Sequence, residues 1–481
     1  MPDQPPRLRT VPPGPRSRAL ARRLAAVESR NVTFRSDRFP IFWMRARGSN
    51  VWDADGNRYV DLAGGFAVVA AGHRNPRIAT ALRRQTARLL HGMGDVHPPE
   101  VKVRLLERLA RLAPFPEARA VLACSGGEAV DAALKTARLR TGKPGVLAFT
   151  GAYHGLTYGA LAVTDRALFR EPFEDQLNPH VLRAPYPHPF RPPPELAGAD
   201  DLAAAALAAA ARCLDSAAGR SVGAVIVEPV QGRGGDVVPP PGFLAGLAAL
   251  CRERGLLLVL DEIYTGLGRT GRRFACEHEG VVPDLLCVGK ALSGSLPIAA
   301  CLGPAEVMDA WPPSAGEAKH TSTFLGNPLA CAAALASLAE IERRGLAGRA
   351  EEEGRRWRER LRGVAERRPE IGDVRGRGLM IGIDLVRGQE RREPDAALAG
   401  LVLEEALRRG WILLASGPDG NVLSLSPPLT IARSLLDRAA AALEESIAAA
   451  ARRLRPHGTG VHSAGSVRPA RGVADSEEAG P

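Results

Sequence analysis

Apolar positions along the 481-residue chain fall into two patterns. From Ala118 to about residue 330, short apolar runs recur at Ala120–Ala123, Val146–Phe149, Val222–Val227, Leu256–Leu260 and Leu285–Val288. Each is bounded by glycine or charge and is apolar at nearly every position. Runs of this kind read as strands buried on both faces of a parallel sheet. Segments with helical spacing separate them, so the pattern predicts a doubly wound α/β domain.

The flanks are different. Ser17–Arg30 has helical spacing, and 41–62 breaks into short β-like runs around a turn at Ala54-Asp55-Gly56-Asn57. Ile78–Leu112 is a long helical stretch broken near His91-Gly92-Met93-Gly94. Beyond residue 330, long amphipathic helices surround strand-like pieces at Met380–Leu385 and Val422–Leu425, which predicts an α+β cap. The expected division is a disordered Pro-rich leader (1–17), the first part of a small domain (18–75), a large domain (76–330), the rest of the small domain (331–455) and a disordered tail (456–481). The Ala-rich segment Leu202–Ala211 reads as a surface helix. No run approaches the ~18 apolar residues of a membrane span.

Composition narrows the function. The net charge is +11, but nine arginines against three acids in residues 1–40 supply more than half of it. A nucleic-acid binder carries its basic stripe on a folded surface, so no nucleic-acid partner is expected. The seven cysteines are scattered, odd in number and without a C-x-x-C pair. They read as free thiols in a reducing compartment, which points to the cytoplasm and to no metal site.

Four features then line up at predicted strand ends. Cys124-Ser125-Gly126-Gly127-Glu128 opens a helix, where free N–H groups and glycines can cradle a phosphate. The same turn also reads as a tight connection with Ser125 as N-cap. Gly151-Ala152-Tyr153-His154-Gly155 offers an aromatic ring for stacking. Asp261 ends a buried strand, where a carboxylate is costly unless paired with a cation or used as a helix cap. Lys290 follows another such strand, where burial lowers the amine pKa and prepares it for a Schiff base.

One cofactor asks for all four: pyridoxal phosphate needs an anion cradle, a stacking ring, a carboxylate on its pyridine nitrogen and a lysine for its aldehyde. The Ser-Gly-Gly-Glu turn lacks the dinucleotide and P-loop forms, and no serine sits in a G-x-S-x-G elbow.

With these motifs the chain resembles the class III pyridoxal-phosphate aminotransferases, the group of ornithine, acetylornithine and 4-aminobutyrate aminotransferases. The likeness covers about residues 38–450. It includes Gly72-His73-Arg74-Asn75-Pro76, Glu228-Pro229-Val230-Gln231-Gly232, the run from Gly266 to Gly271, Gly289-Lys290-Ala291 and Ser322-Thr323-Phe324.

The resemblance implies fold type I, with a mostly parallel seven-stranded sheet in the large domain and an α+β small domain built from both chain ends. It implies a homodimer with shared active sites, and an amine donor and a 2-oxo acid acceptor as substrates. By position, Lys290 forms the internal aldimine and shuttles the proton, and Asp261 pairs with the pyridinium. Tyr153 and Ile263 take the two ring faces, with His154 beside them. Ser125, Gly126 and Gly127 hold the phosphate, and Thr323 reaches the phosphate of the neighbouring subunit. Glu228 supports the Asp261 network.

Four positions depart from the family pattern. Gly127 stands where many relatives have Ser or Thr, and a phosphate contact is lost. Tyr264 stands where many have Gln, beside the ring hydroxyl. Arg233 replaces a usual Glu, and Ser424 replaces the usual carboxylate-binding Arg. Arg233 is therefore the candidate grip for a substrate acid group, with Asp236 as a possible competitor for it. The scaffold also admits racemase, aminomutase and phospho-lyase chemistry. A ligand-sensing regulator would need an added DNA-binding module, for which residues 1–40 are too short.

Overall fold

The computed structural model describes residues 3–388, 390 and 392–454; the expected tail at 456–481 lies outside the described residues. Three sheets organise them. The first joins both ends of the chain: β1 (Trp43–Arg47), β2 (Asn50–Asp53) and β3 (Arg58–Asp61) continue into a short strand at Trp411–Ile412, which pairs parallel to β3.

The large sheet contains β4 (Ala118–Ala123), β5 (Gly145–Phe149), β6 (Val181–Ala184), β7 (Val222–Val227), β8 (Leu257–Asp261), β9 (Leu285–Val288) and β10 (Ala299–Pro304). Their order is β4-β10-β9-β8-β7-β5-β6, and only β10 runs against its neighbours. Every residue of β5, β7 and β9 is buried. That explains their unbroken apolar character, since helices cover both faces.

The third sheet is built from β11 (Ile371–Arg377), β12 (Met380–Arg387), β13 (Glu393–Pro394), then, after β14 (the Trp411–Ile412 strand), β15 (Leu414–Ser416) and β16 (Val422–Leu425). Helices Leu346–Ala365 and Arg433–Leu454 complete this region, with Trp357 fully buried.

Two expectations need correction. Residues 3–17 are not a disordered leader. Arg7 exchanges backbone hydrogen bonds with Arg58 on β3 at 2.9 and 2.8 Å. The buried Asn57 accepts from the N–H groups of Arg9 and Thr10, Asn50 accepts from that of Gln4, and Asp3 accepts from that of Ser49. Proline removes donors from this segment, and the side chains of the first sheet satisfy those that remain. Pro15 then starts a helix, Pro15–Val27. Nor is the Ala-rich segment a simple surface helix. Leu202–Asp215 buries Ala203, Ala206, Ala209, Ala210 and Leu214, and it packs on β5 and β6.

Candidate active site

Strand order assembles the site. The carboxyl ends of β9, β8, β7 and β5 lie side by side, where open α/β sheets bind ligands. Lys290, Asp261, Glu228 and the loop residues 153–157, well separated in sequence, therefore line one cavity of about 540 Å³. Ser125, Gly126, Gly127, Tyr153, His154, Ile263, Tyr264 and Arg233 line it too, so the structure brings together every expected site residue of this chain except Thr323.

Asp261 is 5% exposed. Its Oδ1 accepts from the backbone N–H of Ile263 at 3.0 Å, and its Oδ2 accepts from His154 Nδ1 at 2.8 Å. A carboxylate can only accept, so Nδ1 carries the proton and the imidazole orientation is fixed. His154 Nε2 is buried and has no hydrogen-bond partner among the described residues.

Glu228 is also buried, and its carboxylate accepts from the N–H groups of Tyr153 and Gly232, each at 3.0 Å. Burial, reinforced by the charge of Asp261, pushes its pKa up to about 7, against the pull of His154 and the two N–H groups. Glu228 thus shapes the Tyr153 loop; the direct hydrogen-bond partner of Asp261 is His154.

Lys290 is held at φ +42°, a left-handed conformation that costs a non-glycine residue of order 1 kcal/mol or more. Its Nζ lies 4.3 Å from the centre of the Tyr264 ring. Burial lowers its pKa, while Asp261 and Glu228 oppose the shift. A depressed amine pKa gives more of the neutral, nucleophilic form.

At the other end, Ser125 caps the helix Gly126–Thr141, with Oγ accepting from the N–H of Glu128 at 3.2 Å. The capping reading of this serine is correct, and the turn still presents Gly126 and Gly127 to the cavity. Ile263 lies directly beneath: a Cβ on Gly126 would meet its Cδ1 at 3.0 Å. This cradle, a buried carboxylate and a depressed lysine fit the phosphate, ring nitrogen and aldehyde of pyridoxal phosphate.

Arg233 lines the cavity with its guanidinium carbon 5.8 Å from the Tyr153 ring centre, and it forms no ion pair among the described residues. Asp236 does not pair with it. That side chain is fully buried beside Ser424, Arg375 and Ser416, and burial raises its pKa to about 7. Ser424 sits behind the cavity wall, its Oγ 3.5 Å from the Tyr264 hydroxyl. Thr323 is exposed on a loop outside the cavity, although neighbouring Ser322 lies 3.9 Å from Cys124 Sγ.

Sequence reasoning missed Leu156 and Thr157, which continue the Tyr153-His154-Gly155 loop along the cavity, and Arg166, whose pKa is lowered by burial and then by the positive charge of Arg233. The first two adjoin the recognised loop. Arg166 has no sequence signal and is found only through the folding of the loop after β5.

The model for the aminotransferase class-III family matches residues 32–447, and the chain belongs to that family. It is 42% identical to a 4-aminobutyrate aminotransferase of Mycobacterium leprae, over 88% of this chain and 94% of the relative. It is 38% identical to a 5-aminovalerate aminotransferase of Pseudomonas aeruginosa, over 84% and 93%. Among solved structures, an amine transaminase from an uncultivated Pseudomonas species, in its PLP-bound internal aldimine form, matches at TM-score 0.80 and 31% identity, covering 88% of this chain and 98% of that one. The chain is a pyridoxal-phosphate-dependent aminotransferase of fold type I, transferring an amino group from an amine donor to a 2-oxo acid.

Proposed function

We propose that Lys290 is the lysine that bonds the cofactor and carries the proton, and that the donor is an ω-amino acid. The observation that carries the reading is the convergence of Lys290 and the buried His154–Asp261 pair on one cavity. Bound pyridoxal phosphate supplies an aldehyde that takes the amino group and a ring that draws electron density from the donor's C–H bond. Asp261 holds the pyridine nitrogen protonated, and His154 holds Asp261 in place. Tyr153 and Ile263 enclose the ring, while Ser125, Gly126 and Gly127 receive the phosphate. Lys290 Nζ would bond the aldehyde and, as a neutral amine, would be the base that takes the proton from the donor carbon.

Arg233 receives the acid group of the substrate. Its face stacks on Tyr153, which leaves its N–H fork free. Arg166 adds a second positive charge nearby. The 4-aminobutyrate and 5-aminovalerate transaminases among the relatives are in keeping with a carboxylated donor.

The working unit is a homodimer in which Thr323 serves the partner's site. Segments 89–96 and 321–327 pack together through His91 and Phe324, yet leave Leu89, Leu90, Met93, Val96 and Phe324 exposed. An apolar patch of this kind marks a protein interface. Seven free cysteines suit a cytoplasmic location. No described helix is long and apolar enough to cross a membrane.

The test is a half-reaction. Holoprotein given 5-aminovalerate and no oxo acid should convert one equivalent of cofactor to its aminated form and then stop, and 2-oxoglutarate should restore it. Continued conversion of 5-aminovalerate without an oxo acid would mean mutase or elimination chemistry.

A further inference from the structure

We propose that Thr157 donates its hydroxyl to the cofactor phosphate, from the space that a side chain at position 127 would fill. The inference rests on the reading that this cavity holds pyridoxal phosphate.

Three observations carry it. A Cβ built on Gly127 would meet Thr157 Oγ1 at 2.9 Å and its Cγ2 at 3.3 Å. The Thr157 side chain therefore stands where a Ser or Thr at 127 would begin. Second, Thr157 Oγ1 is buried with no hydrogen-bond partner among the described residues, although the residue lines the cavity beside Ser125 and Gly126. A buried hydroxyl without a partner is costly, so such groups call for a ligand or another explanation.

Third, the ordinary role for a threonine at this place is already taken. Thr157 is the N-cap residue of the helix Tyr158–Val163, yet its side chain makes no capping bond. The N–H of Ala160, which an N-cap side chain would satisfy, donates instead to Asp131 Oδ1 at 2.8 Å. Asp131 belongs to the helix Gly126–Thr141, whose first turn forms the cradle. One helix thus supplies the cradle and also frees the threonine that faces it.

The loop reaches this position because glycines face each other. Gly155 adopts φ +132°, and a Cβ there would come within 2.8 Å of Gly127 Cα. A larger residue at either position would push the loop, and Thr157 with it, off the cradle. Gly127 and Thr157 form a matched pair: the small residue admits the loop, and the loop brings the hydroxyl.

The test compares pyridoxal phosphate with pyridoxal, which lacks the phosphate, by titrating apoprotein and following absorbance together with borohydride fixation at Lys290. Thr157→Val keeps the shape and removes the hydroxyl. It should weaken pyridoxal phosphate binding by about 10–100-fold, the loss expected for a hydrogen bond to a charged group, without a matching loss for pyridoxal. Thr157→Ser should retain most of the affinity. Gly127→Ser should weaken binding by crowding Thr157, and Gly127→Ser combined with Thr157→Ala should recover it. If Thr157→Val folds poorly, the Ser and Ala variants at 157 give the same comparison.

Equal losses for both ligands would mark Thr157 as a packing residue and overturn the proposal, as would unchanged affinity for pyridoxal phosphate. Wild-type protein that takes up cofactor at Lys290 while Thr157→Val and Thr157→Ala match it overturns the Thr157 role alone. Wild-type protein with no uptake at Lys290 overturns the cofactor-site reading as well.

Discussion

His154 Nδ1 and Asp261 Oδ2 lie 2.8 Å apart, both buried, and the contact joins the loop after β5 to the carboxyl end of β8 across β7, which lies between the two strands. The contact spans 107 positions in the sequence. It fixes the carboxylate proposed to face the ring nitrogen, and it does so from the same loop that carries Tyr153 into the cavity.

Asp261→Asn should therefore damage chemistry more than folding. An amide cannot hold the pyridine nitrogen protonated, and its loss from a buried pair costs ~3–5 kcal/mol. Expressed in the transition state, a loss of that size slows the half-reaction by ~10²–10³-fold or more. Stopped-flow absorbance on the cofactor checks this. If Asp261 were only a cap, Asn would serve nearly as well and the rate would stay close to normal.

Arg233→Ala should raise KM for 5-aminovalerate or 4-aminobutyrate by ~10–100-fold, as expected for a charged hydrogen bond. Arg233→Lys should recover little, since an ammonium lacks the planar fork. Steady-state kinetics with these donors, set against an alkylamine of equal length, decides it. Equal KM increases for acid and amine would place the carboxylate contact elsewhere.

Glu228 gives a pH prediction for the apoprotein. Its folded pKa of about 7 stands above the unfolded value near ~4.3. Between these values the folded state binds more protons, so stability falls as pH rises through that window. Glu228→Gln removes the titration. The melting temperature of the variant should gain on that of the wild type from pH 5 to pH 8, by the equivalent of roughly 2–3 kcal/mol at most. A difference independent of pH would show that Glu228 ionises normally.

Asn57→Ala should loosen the N-terminal arm. The fully buried Asn57 accepts from Arg9 and Thr10 and donates to Asp53. Losing these bonds should cost ~2–4 kcal/mol and open residues 3–14 to limited proteolysis. An unchanged cleavage pattern would mean that the Arg7–Arg58 pairing and the bonds of Asn50 and Asp3 hold the arm without Asn57.

Much of the large sheet was legible because its strands are buried on both faces. Val222–Val227 and Leu285–Val288 were read with their observed bounds. Two strands were missed. Val181–Ala184 lies at the sheet edge and carries Arg183, and Ala299–Pro304 is rich in small residues and ends in Gly-Pro. Neither shows a β-rich apolar run. The cavity-lining residues of the central motifs were visible because their chemistry is distinctive at strand ends.

What remained hidden depends on tertiary approach. The Arg7–Arg58 pairing recruits a proline-rich segment whose composition alone suggests disorder. The Gly127–Thr157 contact joins the first turn of one helix to the N-cap of another across 30 positions, and nothing local marks that threonine. His154 was expected near the cofactor, but its bond to Asp261 follows only from strand order.

The most direct test of the account is reduction of the holoprotein with borohydride, followed by peptide mapping. The chain has five lysines, Lys102, Lys135, Lys143, Lys290 and Lys319. The cofactor should be fixed on Lys290 alone, and Lys290→Ala should bind it without covalent attachment and not turn over. Label on any other lysine, or transamination by Lys290→Ala above trace level, would contradict it.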